Sequence, residues 1–131
     1  MGNFKKLKVW EKAHSLAVRV HDIAKGMRSS RYASLRNQMI RAGESVPTNI
    51  VEGSRKASSR DFARFLDYAM NSASELEYHL ILARDVGAIP EGGATGLIDD
   101  SIEVRKMLFG LIRRIRKAGP PEADTSPPTP V

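Results

Sequence analysis

The stretch from Gln38 to Gly53 constrains this chain more than any other, because it has the periodicity of a helix and a proline in the middle of it. At about 100° per residue, Leu35, Met39, Ala42, Val46 and Ile50 fall on one face. Gln38, Arg41, Ser45, Asn49 and Glu52 fall together on the neighbouring face, a polar stripe that a helix merely covering a core would lack. Pro47 has no N–H to donate and its ring crowds the carbonyl of Gly43, which costs an unbroken helix roughly 3 kcal/mol. Gly43 adds no side chain to the crowding, and Ser45 and Asn49 are short enough to bond freed backbone groups locally. The expectation is one kinked helix. The alternative is a helix that stops near Val46, with Pro47 as the first residue of the next.

Three further helices surround this one. From Leu7 to Lys25 the residues Val9, Ala13, Leu16, Val20 and Ile23 recur at steps of four and three, and Gly26 suits a left-handed cap. Trp10 lies beside that stripe as a packing anchor. A short polar turn, Arg28 to Arg31, leads into the second helix, expected from Tyr32 to Arg55, so the two are antiparallel neighbours. Ser58-Ser59-Arg60-Asp61 resembles a capping box and opens a third helix. Its apolar line runs from Phe62 through Leu66, Ala69, Ala73, Leu76 and Leu80 to Ala83, and it stops near Gly87 with Pro90 beyond. Gly87 to Ala94 is the clearest break, after which Thr95 is expected to cap the fourth helix.

In that last helix Leu97, Val104, Leu108, Leu111, Ile112 and Ile115 form the core stripe, and Ile98, Ile102 and Phe109 widen it. Together with Met70, Ile81, Leu82 and Val86 they exceed what one bundle core needs, which implies a second partner face. Five of the seven prolines follow Gly119. The fold class is therefore all-α: an antiparallel up-down four-helix bundle over residues 1–118, with a Pro-rich disordered tail over 119–131.

The string Arg41-Ala42-x-x-Ser45-Val46-Pro47-x-Asn49-Ile50-x-Glu52-Gly53 resembles the signature of the intervening-sequence proteins of bacterial 23S ribosomal RNA, a four-helix bundle family. Leu7 to Ala13, Phe62-x-Arg64-Phe65-Leu66 and Ser74-Glu75-Leu76-Glu77 match in the same order. The resemblance implies a homopentamer. It also implies kinship with the accessory proteins of diversity-generating retroelements, which serve reverse transcriptases and bind nucleic acid through a basic surface. Arg41, Ser45, Pro47, Asn49, Glu52, Gly53 and Glu75 are the signature positions, and they read as structural. Polar groups bordering an apolar core bond to a neighbouring helix, and Arg41 can pair with Glu52 or Glu75 across the bundle or between subunits.

Reactive groups are scarce. With no cysteine there is no thiolate chemistry and no disulfide framework, and an intracellular, cytoplasmic protein is the simplest reading. There is no Gly-rich phosphate loop and no nucleophile elbow. One Glu-x-x-His spacing, Glu11 to His14, has no second copy to complete a di-iron site, and Glu75 with His79 is weaker still. No stretch approaches the ~20 apolar residues of a membrane span. The chain reads as non-catalytic, with no cofactor and no metal.

What remains is charge. Lys and Arg outnumber Asp and Glu by 21 to 15, giving +6 and a pI near 9.9, a balance that favours polyanionic partners. Three clusters stand near helix ends: Lys5, Lys6 and Lys8, with Lys12; Arg55, Lys56 and Arg60, with Arg64; and Arg113, Arg114, Arg116 and Lys117. They are candidate nucleic-acid contacts, against the alternative of a solvated helix end. Trp10, Phe62 and Phe65 read as packing residues, so binding is expected to rest on the phosphate backbone. The expected function is a non-catalytic oligomeric scaffold for RNA or DNA, with a protein partner also open; the alternative is a protein-interaction module without nucleic-acid affinity. Because a proline-rich tail buries no core, truncation after Ala118 is expected to leave the melting temperature unchanged in calorimetry, and a marked drop would show that the tail docks.

Overall fold

The structure, a computed structural model, describes residues 3–118; the expected disordered tail lies outside the described residues. Four helices account for nearly all of it: α1 (Lys8–Ala24), α2 (Ala33–Ser54), α3 (Ser59–Asp85) and α4 (Glu91–Ala118), with no strand among the described residues. Short 3₁₀ turns at Phe4–Lys6 and Ser30–Tyr32 lead into α1 and α2. Cross-helix contacts fix an up-down order. Ser45 of α2 meets Ser72 of α3, Glu77 and Asp67 of α3 meet Arg105 and Arg116 of α4, and Arg19 and Lys12 of α1 meet Asp100 and Glu103 of α4.

A single helix, α2, continues through Pro47, which excludes the two-helix alternative. The Thr48 and Asn49 side chains bond the carbonyls just beyond that of Gly43, the one Pro47 leaves free, and not the Gly43 carbonyl itself. Thr48 Oγ1 donates to the Glu44 carbonyl at 2.7 Å, and Asn49 Nδ2 donates to the Ser45 carbonyl at 2.8 Å and to Ser45 Oγ at 3.0 Å. Ser45 Oγ in turn shares a 2.8 Å hydrogen bond with Ser72 Oγ, so the polar stripe is tied to the next helix.

The core follows the expected faces. Leu16, Val20, Met39, Val46, Ile50, Leu66, Leu76, Leu80 and Leu108 are fully buried. Ile98 is also in the core, at 8 % exposure, which corrects its assignment to the surplus apolar arc; Ile81, Leu82 and Ile102 are half-buried, and Phe109 and Val86 are exposed. Met27 and Ile89, from the connections, complete the core without belonging to any helical stripe.

The helix ends hold one agreement, the Ser58 cap, and four corrections. Ser58 caps α3, its Oγ accepting from the Asp61 N–H at 3.1 Å, while the Asp61 carboxylate accepts from Arg64 rather than closing the box. Gly26 is not left-handed; among the described residues the positive-φ glycine is Gly87, at φ 78°, where the Ala88 N–H reaches back to the Ala83 carbonyl and the Gly87 N–H to that of Arg84. Thr95 does not cap α4, because the helix has already begun at Glu91 and the Thr95 hydroxyl donates to the Glu91 carbonyl inside it. Gly92 and Gly93, expected in the loop, are helical, and a Cβ on Gly93 would lie 3.1 Å from Ile23 Cδ1. The glycine there serves close approach of α4 to α1 rather than a turn.

Gly53 marks the tightest approach. A Cβ at this position would sit 2.9 Å from Phe62 Cδ1, 3.0 Å from Phe65 Cβ and 3.2 Å from the Phe62 carbonyl, so α2 and α3 would have to separate. Overpacking costs about 1–3 kcal/mol, against about 1 kcal/mol gained by replacing a helical glycine with alanine. Gly110 in α4 faces only the tip of Arg114 at 3.9 Å. Gly53→Ala should therefore lower stability in urea titrations and Gly110→Ala should raise it; equal signs for the two would contradict the packing argument.

Candidate nucleic-acid interface

Up-down order sends the start of α1, the end of α2, the start of α3 and the end of α4 to the same end of the bundle. The three basic clusters lie at those four positions. Twelve of the 21 Lys and Arg, counting Lys12 and Arg64, thus belong to one half of the molecule. Lys5, Lys6, Lys8, Arg55, Arg60, Arg113, Arg114, Arg116 and Lys117 are exposed, and Lys56 is half-buried with its ammonium 4.9 Å from the Phe65 ring centroid.

Few carboxylates neutralise them. Among the described residues, Arg116 alone of these ten meets one, Asp67 at 2.6 Å. Lys12 reaches Glu103 at 3.5 Å and Arg64 reaches Asp61 at 3.2 Å. Such exposed pairs contribute about 0–1 kcal/mol and exchange readily with a phosphate. Arg113 stands 5.8 Å from the Phe109 ring over a groove between α3 and α4 that Met70, Gly110 and Ile112 also line.

The aromatic residues at this end divide. Phe62 is buried and Trp10 is half-buried, stacked on His14 at 5.0 Å and 6° and met edge-on by Phe4 at 5.1 Å. These are packing residues, as expected. Tyr68, which carries no role in the sequence reading, is 43 % exposed. Its ring meets Phe65 edge-on at 5.3 Å, and its hydroxyl accepts from Arg64 at 3.1 Å. That bond, and the one to Asp61, raise the pKa of the Arg64 guanidinium above its ordinary value. The signal in the sequence is the one-turn spacing of Arg64 and Tyr68.

The signature residues separate into two groups. Ser45 and Gly53 are taken up by the α2–α3 contact, Asn49 bonds back to Ser45 within α2, and Pro47 is buried. Arg41, Glu52 and Glu75 are exposed, and among the described residues Arg41 makes no ion pair with either acid. Pairing of Arg41 within the bundle is thus not what the chain does: Arg41 and Glu75 line a shallow groove with Gln38, Ser45 and Thr48, open to solvent. His14 and His21 are exposed, with His21 Nε2 2.7 Å from Glu44. Among the described residues no three His, Asp or Glu side chains gather to hold a metal, and no helix is long and apolar enough to cross a membrane.

Fold and charge define the class: an all-helical four-helix bundle with a basic end and a polar layer built around a mid-helix proline. The model of the 23S rRNA-intervening sequence protein family matches residues 5–110, and the chain belongs to that family. A crystal structure of a protein of unknown function from the S23 ribosomal protein family of Bacteroides thetaiotaomicron is similar, with 30 % identity and a TM-score of 0.74 over 79 % of this chain and 97 % of that one. No curated protein matches the chain.

Proposed function

We propose that this protein is a non-catalytic helical-bundle scaffold that assembles with copies of itself and associates with RNA or DNA through its basic end. The observation that carries the reading is the meeting of three exposed basic clusters at one end of the up-down bundle, with only Arg116 of their ten residues engaged by a carboxylate among the described residues. Likeness to the family favours a pentamer and a role beside a reverse transcriptase, like that of retroelement accessory proteins. A ring of subunits would repeat the basic end and multiply the phosphates it meets. The reading puts the protein in the cytoplasm, and the lack of cysteine accords with that compartment.

A second reading, a protein-interaction module, has its own observation. Phe109 is 52 % exposed beside Met70 in the groove between α3 and α4, and Val86 is 46 % exposed. An apolar residue so placed suits a protein surface, either a second copy or another chain.

Two measurements test these readings. Light scattering should give a mass several times that of the chain, and a stable monomer at micromolar concentration would remove self-assembly. Titration with duplex DNA and structured RNA at two salt concentrations should show affinity falling steeply with salt, because phosphate contacts release counterions. Replacing Arg113, Arg114 and Arg116 by Gln should weaken binding and flatten the salt dependence by up to about three phosphate contacts, with helical content and mass unchanged. A triple variant with the parent's affinity and slope would reduce this cluster to a solvated helix end.

A further inference from the structure

Phosphate contacts alone do not distinguish a duplex from a single strand, but one feature of the basic end does. Tyr68 is held from two sides while its ring stays open to solvent. Phe65 meets it edge-on at 5.3 Å and 75°, and the Arg64 guanidinium both donates to its hydroxyl at 3.1 Å and lies 5.8 Å from its ring centroid. Phe65 is itself fixed, with its Cβ against Gly53 and with Lys56 and Arg64 each 4.9 Å from its ring. An exposed tyrosine anchored in this way has little rotamer freedom left to lose on binding.

The surroundings match one kind of ligand. The Tyr68 ring offers stacking, while Arg64 and Arg60, one and two turns before it in α3, and Lys56 on the Phe65 ring offer phosphate contacts. In a duplex the bases are already stacked on one another and show only their edges, so the ring face has nothing to receive. An unpaired base on a phosphate chain presents both parts. We propose that Tyr68, supported by Phe65 and Arg64, is a stacking site for an unpaired nucleobase, so that the basic end favours single-stranded over duplex nucleic acid. This inference rests on the nucleic-acid reading given above and adds to it the strandedness of the partner.

The test uses the full chain and four probes: oligo-deoxythymidine, oligo-uridine, and DNA and RNA duplexes of the same length. Tyr68→Ala should weaken binding to the single strands by about 10-fold, the loss of roughly one stacked base, with the salt slope unchanged and duplex affinity within about twofold of the parent. The single strand that loses more identifies the sugar the site meets. Tyr68→Phe keeps the ring and should retain single-strand affinity, which separates stacking from any role of the hydroxyl in holding Arg64. Equal binding of single strands by parent and Tyr68→Ala overturns the inference, as does an equal loss on duplexes. A parent that binds duplexes but no single strand overturns the stacking site and leaves the phosphate-binding reading intact; a parent that binds neither overturns both. Tyr68 is exposed, so circular dichroism of Tyr68→Ala should match the parent and keep the comparison valid.

Discussion

The closeness of α2 to α3 at Gly53 is the contact on which the rest depends. With no side chain at that position, Phe62 and Phe65 sit directly against the end of α2, and the connection between the helices needs only the residues from Arg55 to Ser58. Small residues extend the contact along the seam: Ala69 and Ala73 are fully buried, and Ser72 reaches Ser45. Along this seam the half-buried side chains of Ser45 and Asn49 and the buried Ser72 hydroxyl bond one another.

That arrangement also explains how a proline is tolerated in the middle of α2. The loss of one backbone hydrogen bond is local, while the helix gains a buried face that includes Met39, Val46, Pro47 and Ile50. Thr48 and Asn49 bond carbonyls one and two residues beyond the one that Pro47 cannot reach. Ser45 and Asn49 of the polar stripe are thus spent on supporting the helix and joining it to α3. Gln38, Arg41 and Glu52 are left facing solvent.

Charge follows from topology in the same way. Four antiparallel helices with short connections bring every second helix end to one side, and here those ends carry Lys5, Arg55, Arg60 and Arg113 together with their basic neighbours. The C-terminal helix charges of α4 favour their own helix dipole, so part of the positive field stabilises the fold while remaining available to an anion. At the opposite end Lys25 lies near Asp22 at 3.6 Å and Arg84 near Asp85 at 3.0 Å.

The sequence by itself determined the number of helices, their apolar faces, the Ser58 cap and the placing of Pro47 inside a helix, because each depends on residues within a turn or two of one another. Its errors have one cause. Gly93 reads as loop and Thr95 as a cap because local propensity favours both, yet α4 begins at Glu91 and buries Ala94 in the core. Met27 and Ile89 have no periodicity to announce them, and they are buried only because the helices leave a space there. The signature marked Gly53 as distinctive, but what it touches is set by another helix. The joining of three basic clusters was likewise decided by the tertiary structure, since it depends on which helix ends become neighbours, whereas the held ring of Tyr68 follows from Arg64 and Phe65 one turn before it on the same helix.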